Sequence, residues 1–447
     1  MNTSATNFDD ATVKGGESPL TGRHGLGHSA QNWQPAAPKR PMPDILRDVE
    51  EAANLPLARS RTLPAEAYTS PAFLDWEVEN VLGAGWVCLA HQSQIPKPGD
   101  FLNLDVLGDP LIVVHGKDGV IRVLSRVCPH RAMDIMPPGF GYDGHGPADA
   151  KDGQPGCGHT RLFLCPYHHW SFELDGSLKG CPEMHKAECF ERDATGLKTF
   201  RCEVWHGFVF LNASGDAAPV AEQYGELDRD LRGWDMSSMT VAIAKEWDCP
   251  FNWKVLVENF MEGYHHLGAH CKTLQPLMPA RDTWTEAERA HSIRVNLPYR
   301  DSVPTTDVTD FAPIPTLDPE HYRQMAVFLG QPSFLLFTAP DRVFWYRIDA
   351  ISPSRSRLLT TCLIPAHAAD DPNYAEKMVA AEKMLVDFHL EDMEVCTAVQ
   401  RGFTAKGYQR GRLSHLEMPI WLIQRYLAAR ARGSYPATDT PAAPSQR

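Results

Sequence analysis

The sequence predicts an α+β chain of two domains, a small antiparallel β domain followed by a larger mixed domain. Three observations predict it. The 447 residues exceed what one hydrophobic core usually supports. Between about Pro96 and Asn212 the pattern is one of short alternating strands punctuated by Gly, Pro and Asp, and from about 220 to 430 helical stretches mix with strands.

Taken in order, residues 1–62 are rich in Gly, Ser, Pro, Ala and Asn and read as a largely irregular extension. Residues 63–95 read as a helical lead-in packing on the second domain, with Ser70-Pro71 as a start signal and Phe73, Trp76, Val78, Val81 and Leu82 as its apolar positions. Strands are expected at 101–106, 110–115, 120–125, 172–178 and 204–211 within a β domain spanning 96–213, and Asp175-Gly176 signals a hairpin. A Gly/Asp/Ala/Pro linker covers 214–219. The larger domain covers 220–434, with strands at 343–351 and 357–364 and a long helix from Tyr374 to Gly402. The Ala/Pro/Ser-rich tail 435–447 reads as disordered.

Composition removes several classes of function. A net charge of -13 lacks the positive field a nucleic-acid binder needs to displace counterions. No apolar run approaches the ~18 residues of a membrane helix, and acidic residues stand where a signal peptide would be basic; both favour a cytoplasmic protein. Eleven cysteines, an odd number spread along the chain, argue for reduced thiols with some metal ligands rather than a disulfide framework.

Two constellations carry chemistry. In the β domain Cys128-Pro129-His130 is paired with Cys165-Pro166-Tyr167-His168. Each loop offers one thiolate and one imidazole, which can place two sulfurs on one iron and two nitrogens on another. Such mixed ligation gives a [2Fe-2S] cluster a potential of roughly -150 to +300 mV, well above an all-cysteine cluster. A structural zinc site would instead show Cys-x2-4-Cys and His-x3-5-His pairs. Cys157-Gly158-His159 and His145 fall in a Gly/Asp/Pro-rich insertion and read as surface-loop residues.

The second constellation is 252–270, with Glu262, His265, His266 and His270 among its polar residues. Non-haem Fe(II) enzymes hold iron with two His and one carboxylate, leaving positions open for O2. On a regular helix His266 and His270 share a face, whereas His265 and His270 need a local distortion, a π-bulge or a break near Gly268. In the long helix Leu385, Phe388, Val395 and Val399 form an apolar stripe on which Asp392 falls. A carboxylate on a buried stripe needs a cation or a hydrogen-bonding partner. Glu391, Glu394 and Asp387 lie off the stripe and read as solvated. The aromatic stretch from Phe334 to Tyr346 reads equally as pocket wall or as plain core.

Cys128-Pro-His-Arg131, Cys165-Pro-Tyr-His-His-Trp170, Phe172-x-Leu-Asp-Gly176 and Trp205-His-Gly-Phe-Val-Phe-Leu-Asn212 resemble the Rieske domain of ring-hydroxylating oxygenase large subunits. Two departures stand out: the interloop segment is about twice the usual length, and His169 occupies a position that is usually small. The resemblance runs from Leu63 to Leu427 and includes 411–417. It implies a Rieske [2Fe-2S] domain with ligands Cys128, His130, Cys165 and His168. It also implies a helix-grip (START-like) domain whose mononuclear Fe(II) is held by His265, His270 and Asp392, since Glu-x-Tyr-His-x4-His matches the family's pattern. Glu262 would bridge His265 to His168 of a neighbouring copy, and glutamate there is similar to carnitine-type, quaternary-ammonium oxygenases. Asn252, Trp253 and Asn259 would be packing and supporting residues.

The implied activity uses O2 and electrons from an NAD(P)H-dependent reductase, with or without a ferredoxin, to hydroxylate or demethylate a small organic substrate. The implied assembly is a homotrimer, with or without a small beta subunit. Monooxygenation is favoured over cis-dihydroxylation of an aromatic ring. A Rieske electron carrier without oxygenase activity is the rival from another class.

Overall fold

The computed structural model describes residues 40–136, 157–304 and 309–435. The expectations for 1–39, for most of the interloop insertion including His145, and for the tail from 436 fall outside the described residues.

The chain departs from the expected irregular extension at once. Met42–Asn54 is a helix, α1, with Ile45, Val49, Ala52 and Ala53 buried. That i, i+4, i+7, i+8 spacing is a helical face. Two short helices follow, α2 (Glu66–Thr69) and α3 (Pro71–Glu77). Ser70 caps α3, its hydroxyl accepting from the Phe73 amide, and Pro71 stands at the first helical position, where a missing N–H costs nothing.

The β domain begins earlier than expected. Strand β1 (Val87–His91) comes from the stretch read as helical lead-in, and it is buried on both faces, so no alternation marks it. The other strands are β2 (Asp100–Val106), β3 (Asp109–His115), β4 (Ile121–Ser125), β5 (Cys157–His159), β6 (Phe163–Leu164), β7 (Ser171–Phe172), β8 (Leu178–Gly180), β9 (Thr199–Trp205) and β10 (Phe208–Asn212). Seven of them form one sheet in the order β1-β10-β9-β4-β3-β2-β5, and β6-β7-β8 form a small second sheet. Cys157 and His159 therefore sit on an edge strand rather than a surface loop, and His159 Nδ1 lies 2.9 Å from Asp100. β9 and β10 are joined through His206 and Gly207, both with positive φ, the conformation of a two-residue type I′ hairpin. A Cβ on Gly207 would stand 2.5 Å from the His91 ring.

After α4 (Val220–Gln223) and α5 (Gly225–Leu231), strand β11 (Thr240–Cys249) enters the second domain and leads to α6 (Trp253–Phe260). Strands β12 (Trp284–Thr285), β13 (Ser292–Pro298), β14 (Gln324–Gly330), β15 (Phe334–Ala339), β16 (Arg342–Ser352) and β17 (Arg355–Ile364) complete an antiparallel sheet ordered β11-β17-β16-β15-β14-β13-β12. The helices α7 (Tyr374–Phe403) and α8 (Met418–Ala431) follow.

Strand alternation divides the aromatic stretch between the expected alternatives. Leu335, Phe337, Phe344 and Tyr346 belong to the core beneath α7, whereas Phe334, Leu336, Val343 and Trp345 face a second core shared with Phe208, Phe210 and Trp205 of the β domain. No helix among the described residues is long and apolar enough to cross a membrane.

Candidate functional site

The two cysteine loops of the β domain share one backbone design. The Cys128 amide donates to Met133 O (2.8 Å) and the Cys165 amide to Trp170 O (2.8 Å); the amides of Ala132 and His169 donate back to the carbonyls of Cys128 and Cys165. Ala132 and His169, each four residues after its cysteine, both have φ near +55 to +60°. This is why a small residue is expected at 169, and His169 meets the same backbone demand with an exposed side chain.

The loops bring Cys128 and Cys165 within hydrogen-bonding reach, and burial first, then the neighbouring thiol, pushes the Cys128 thiol up to about 11. A thiol in such surroundings ionises only against a metal. The rings of His130 and His168 lie 4.7 Å apart, His130 is stacked on Trp170, and His168 Nδ1 is buried without a hydrogen-bond partner. Two sulfurs, two imidazoles and an orphaned ring nitrogen fit a [2Fe-2S] group better than any protein-only arrangement, since a buried lone pair without a partner is costly.

In the second domain α6 stops at Phe260, and Tyr264–Leu267 forms a separate 3-10 turn closed at Gly268. A break, rather than a π-bulge, removes the angular mismatch between positions five apart. His265 and His270 face each other with ring centroids 4.9 Å apart. From α7, Asp392 Oδ1 stands 3.0 Å from His270 Nε2 and 3.7 Å from His265 Nε2. Ligand atoms of all three lie within 4.8 Å of one another, a spacing that one ion can span. Bonds of about 2.0–2.1 Å meeting near right angles leave ligand atoms about 3 Å apart, so a single ion fits with only small side-chain shifts.

The electrostatics point the same way. Burial works to raise Asp392, but the His270 hydrogen bond and the His265 charge hold it below the usual carboxylate range. Burial works to lower His265 and His270, and Glu262 in the first case, Asp392 with Glu391 in the second, hold them above the usual imidazole value. Carboxylates that hold protons on two buried imidazoles in this way make a place where a divalent cation can replace those protons. His266 goes elsewhere: its Nδ1 lies 2.9 Å from Met278 O, and burial lowers it to about 4.

Glu262 binds His265 twice, through its Nδ1 (2.8 Å) and its backbone amide (3.0 Å). Asn252 caps α6, Trp253 donates to Glu77, and Asn259 lines the cavity beside His265 and His270. Glu391 corrects the sequence reading. It lies off the buried face and its side chain is 32% exposed, but it is engaged rather than free in solvent, its Oε2 lying 2.6 Å from His270 Nδ1. The expected stripe holds at Leu385, Phe388 and Asp392 but not at its end: Val399 is exposed, and the fully buried residues of α7 are Ala381, Leu385, His389, Cys396 and Gln400. Of the other two acids, Glu394 is exposed and Asp387 pairs with Lys383.

The triad opens on a cavity of about 60 Å³ walled by Leu256, Phe260, Leu297, Phe337, Tyr346 and Phe388. A second cavity of about 90 Å³, reaching Tyr299 and the Asp310–Asp341–Arg342 cluster, shares Leu274, Met278, Phe337 and Phe388 with it.

Residues 85–224 match the Rieske [2Fe-2S] domain family, and residues 236–433 match the ring hydroxylating alpha subunit (catalytic domain) family. The chain carries both of the domains that make up the Rieske-type ring-hydroxylating oxygenases. Its two domains imply a Rieske cluster and a mononuclear iron.

Among relatives, the carnitine monooxygenase oxygenase subunit of Acinetobacter pittii is 31% identical over 211 residues, 47% of this chain and 52% of that one. The chain thus spans about half the length of such curated relatives. The chloroplastic choline monooxygenase of Arabidopsis thaliana is 24% identical over 379 residues, 82% of each chain. A solved quaternary ammonium Rieske monooxygenase in complex with L-carnitine superimposes with a TM-score of 0.69 at 22% identity, covering 85% of this chain and 98% of that one. Naphthalene 1,2-dioxygenase from a Rhodococcus species bound to indole gives 0.69 at 18% identity, covering 87% and 97%. At these identities the likeness is one of fold.

Proposed function

We propose that this chain is the terminal oxygenase of a Rieske system that hydroxylates or demethylates a small organic substrate, with quaternary ammonium compounds as the favoured class. The observation that carries the reading is the convergence of His265, His270 and Asp392 on an apolar, aromatic-walled cavity. Cys128, His130, Cys165 and His168 would hold the cluster, and His265, His270 and Asp392 the Fe(II). When bound, the cluster supplies electrons one at a time and the mononuclear iron supplies O2 activation.

The chain's own residues prepare that chemistry. Two histidines and one carboxylate leave coordination positions free. Phe260, Phe337, Tyr346 and Phe388 wall the cavity, excluding water and offering aromatic rings of the kind that receive a cationic methylammonium group. Among the described residues no lysine or arginine lines this cavity, so a substrate carboxylate meets no cationic side chain there. The net change is RH + O2 + 2e⁻ + 2H⁺ to ROH + H2O, the electrons coming from an NAD(P)H-dependent reductase with or without a ferredoxin.

Glu262 would link His265 to His168 of the partner subunit in a cytoplasmic homotrimer, with or without a small beta subunit. Exposed Tyr167 beside His168, and exposed Tyr264 and Leu267 beside His265, support such a contact, being apolar surface at both ends of the route. Carnitine, choline and betaine relatives support monooxygenation.

The test is substrate-dependent O2 uptake with a generic reductase across methylammonium compounds, betaines and aromatic hydrocarbons, with product analysis under ¹⁸O2. One labelled oxygen in product from a quaternary ammonium substrate supports the proposal. Two, from an arene, move it to a dihydroxylase. An intact cluster with no bound mononuclear iron reduces the chain to an electron carrier.

A further inference from the structure

We propose that Glu391 is a positioning residue for His270, and that with Thr273 it fixes which nitrogen of that imidazole keeps its proton and so how tightly the metal is held. This rests on the reading of His265, His270 and Asp392 as ligands.

Consecutive residues of α7 grip opposite sides of one ring: Glu391 Oε2 is 2.6 Å from His270 Nδ1, and Asp392 Oδ1 is 3.0 Å from His270 Nε2. Neighbours on a helix point about 100° apart, which lets two adjacent carboxylates straddle an imidazole. The nitrogen facing Glu391 keeps its proton as the donor of that hydrogen bond. The Nε2 lone pair is then directed to the metal position, and the ring becomes a more basic ligand.

Glu391 is itself held. Thr273 Oγ1 donates to the same Oε2 at 2.7 Å, and the Thr273 amide donates to His270 O at 3.2 Å. Thr273 and His270 thus form one turn that α7 clamps from the side. A mobile surface glutamate meeting a histidine by chance would have no such second donor from the same turn.

The two metal-facing histidines are consequently oriented by different means. Glu262 acts within its own segment, holding the His265 ring and backbone together. Glu391 reaches His270 across 121 residues of sequence, so it also fixes the register between α7 and the 270–273 turn. The side chain of His270 is 1% exposed and that of Glu391 32%, so the carboxylate reaches the buried ring from the solvent side of α7.

The experiment is equilibrium binding of Co(II), a spectroscopic stand-in for Fe(II), to the purified full chain with its cluster intact, cluster absorption serving as the control for folding. Glu391→Ala is expected to weaken binding about 10- to 100-fold and to change the visible Co(II) bands. Glu391→Gln, which keeps an acceptor oxygen, is expected to recover most of the affinity. Thr273→Val is expected to weaken binding a few-fold without loss of the cluster. Wild-type affinity and bands in Glu391→Ala overturn the proposal, as does a Glu391→Gln variant no better than Glu391→Ala. His270→Ala separates the two levels: if it too binds normally, the ligand reading has failed, whereas loss in His270→Ala with none in Glu391→Ala removes this inference alone.

Discussion

The Lys254 ammonium lies 2.8 Å from the Glu77 carboxylate, and neither side chain has any exposure to solvent. Lys254 also donates to Asn252 Oδ1 at 2.8 Å, and the indole of Trp253 donates to Glu77 at 3.2 Å. Burial lowers Lys254 and raises Glu77, each ion being tolerable only beside the other. The pair pins α3 to the start of α6, the helix that delivers the His265 segment. Lys254→Met alone should therefore destabilise the protein by about 3–5 kcal/mol, because it leaves a buried carboxylate without a counter-ion. Lys254→Met combined with Glu77→Leu should recover most of that loss. Denaturation midpoints of the two variants check this, and equal losses in both would remove the pair from the stability argument.

Glu258, one turn further along α6, is pushed by burial up to about 7, with the Tyr68 hydrogen bond and Lys254 opposing. A carboxyl raised in the folded state binds its proton more tightly there than in the unfolded chain. Its contribution is present at low pH and is lost as pH rises from the ordinary carboxylate range through about 7. Glu258→Gln, which still accepts from Tyr68, should flatten the stability profile across that window by up to about 3 kcal/mol. Thermal midpoints of both proteins between pH 5.5 and 8 read the difference, and parallel profiles would contradict the assignment.

How much of this was legible in the sequence depends on how local the constraint is. Cys128, His130, Cys165 and His168 were readable because a cluster needs those donors at short spacing within each loop. The pairing of His265 with His270 was suggested only by the family's pattern, since regular helix geometry favours His266; the break after Phe260 that brings those two rings together leaves no residue signature beyond Gly263 and Gly268. Glu391 was missed because hydrophobic periodicity locates apolar burial, and the inner face of α7 is partly polar. Gln400 there accepts from the Asn252 amide and donates to Tyr68 O. Strand β1 was missed because burial on both faces erases alternation. Helix α1 was missed because its face of Ile45, Val49, Ala52 and Ala53 lies next to a compositionally biased stretch and is bounded by prolines.

Metal content separates the two centres. Asp392→Ala and His265→Ala should lose the mononuclear iron and keep the cluster's visible absorption, because the Cys128 and Cys165 loops belong to the other domain. Cys128→Ala with Cys165→Ala should lose the absorption and keep about one iron per chain. His266→Asn should keep both, its Nδ1 being engaged by Met278 O. Loss of mononuclear iron in His266→Asn, with retention in His265→Ala, would redraw the triad.

Phe337 is shared by the cavity beside the triad, about 60 Å³, and the neighbouring one of about 90 Å³, and neither alone has the size of a typical small-molecule site, about 300 Å³ or more. The ring stands at the partition together with Leu274, Met278 and Phe388, and β15 holds its backbone by pairing with β14 and β16. Removing it should join the two spaces without moving the His265–His270–Asp392 triad. Phe337→Ala is expected to cost about 3–5 kcal/mol of stability while raising kcat/KM for longer substrates relative to shorter ones. The shorter substrates should lose mainly in kcat, since a looser cavity no longer holds the reacting carbon in line with the metal. Steady-state kinetics over a homologous series measure the split. A uniform fall across the series would mean that the neighbouring cavity takes no part in substrate selection and that Phe337 serves only as core.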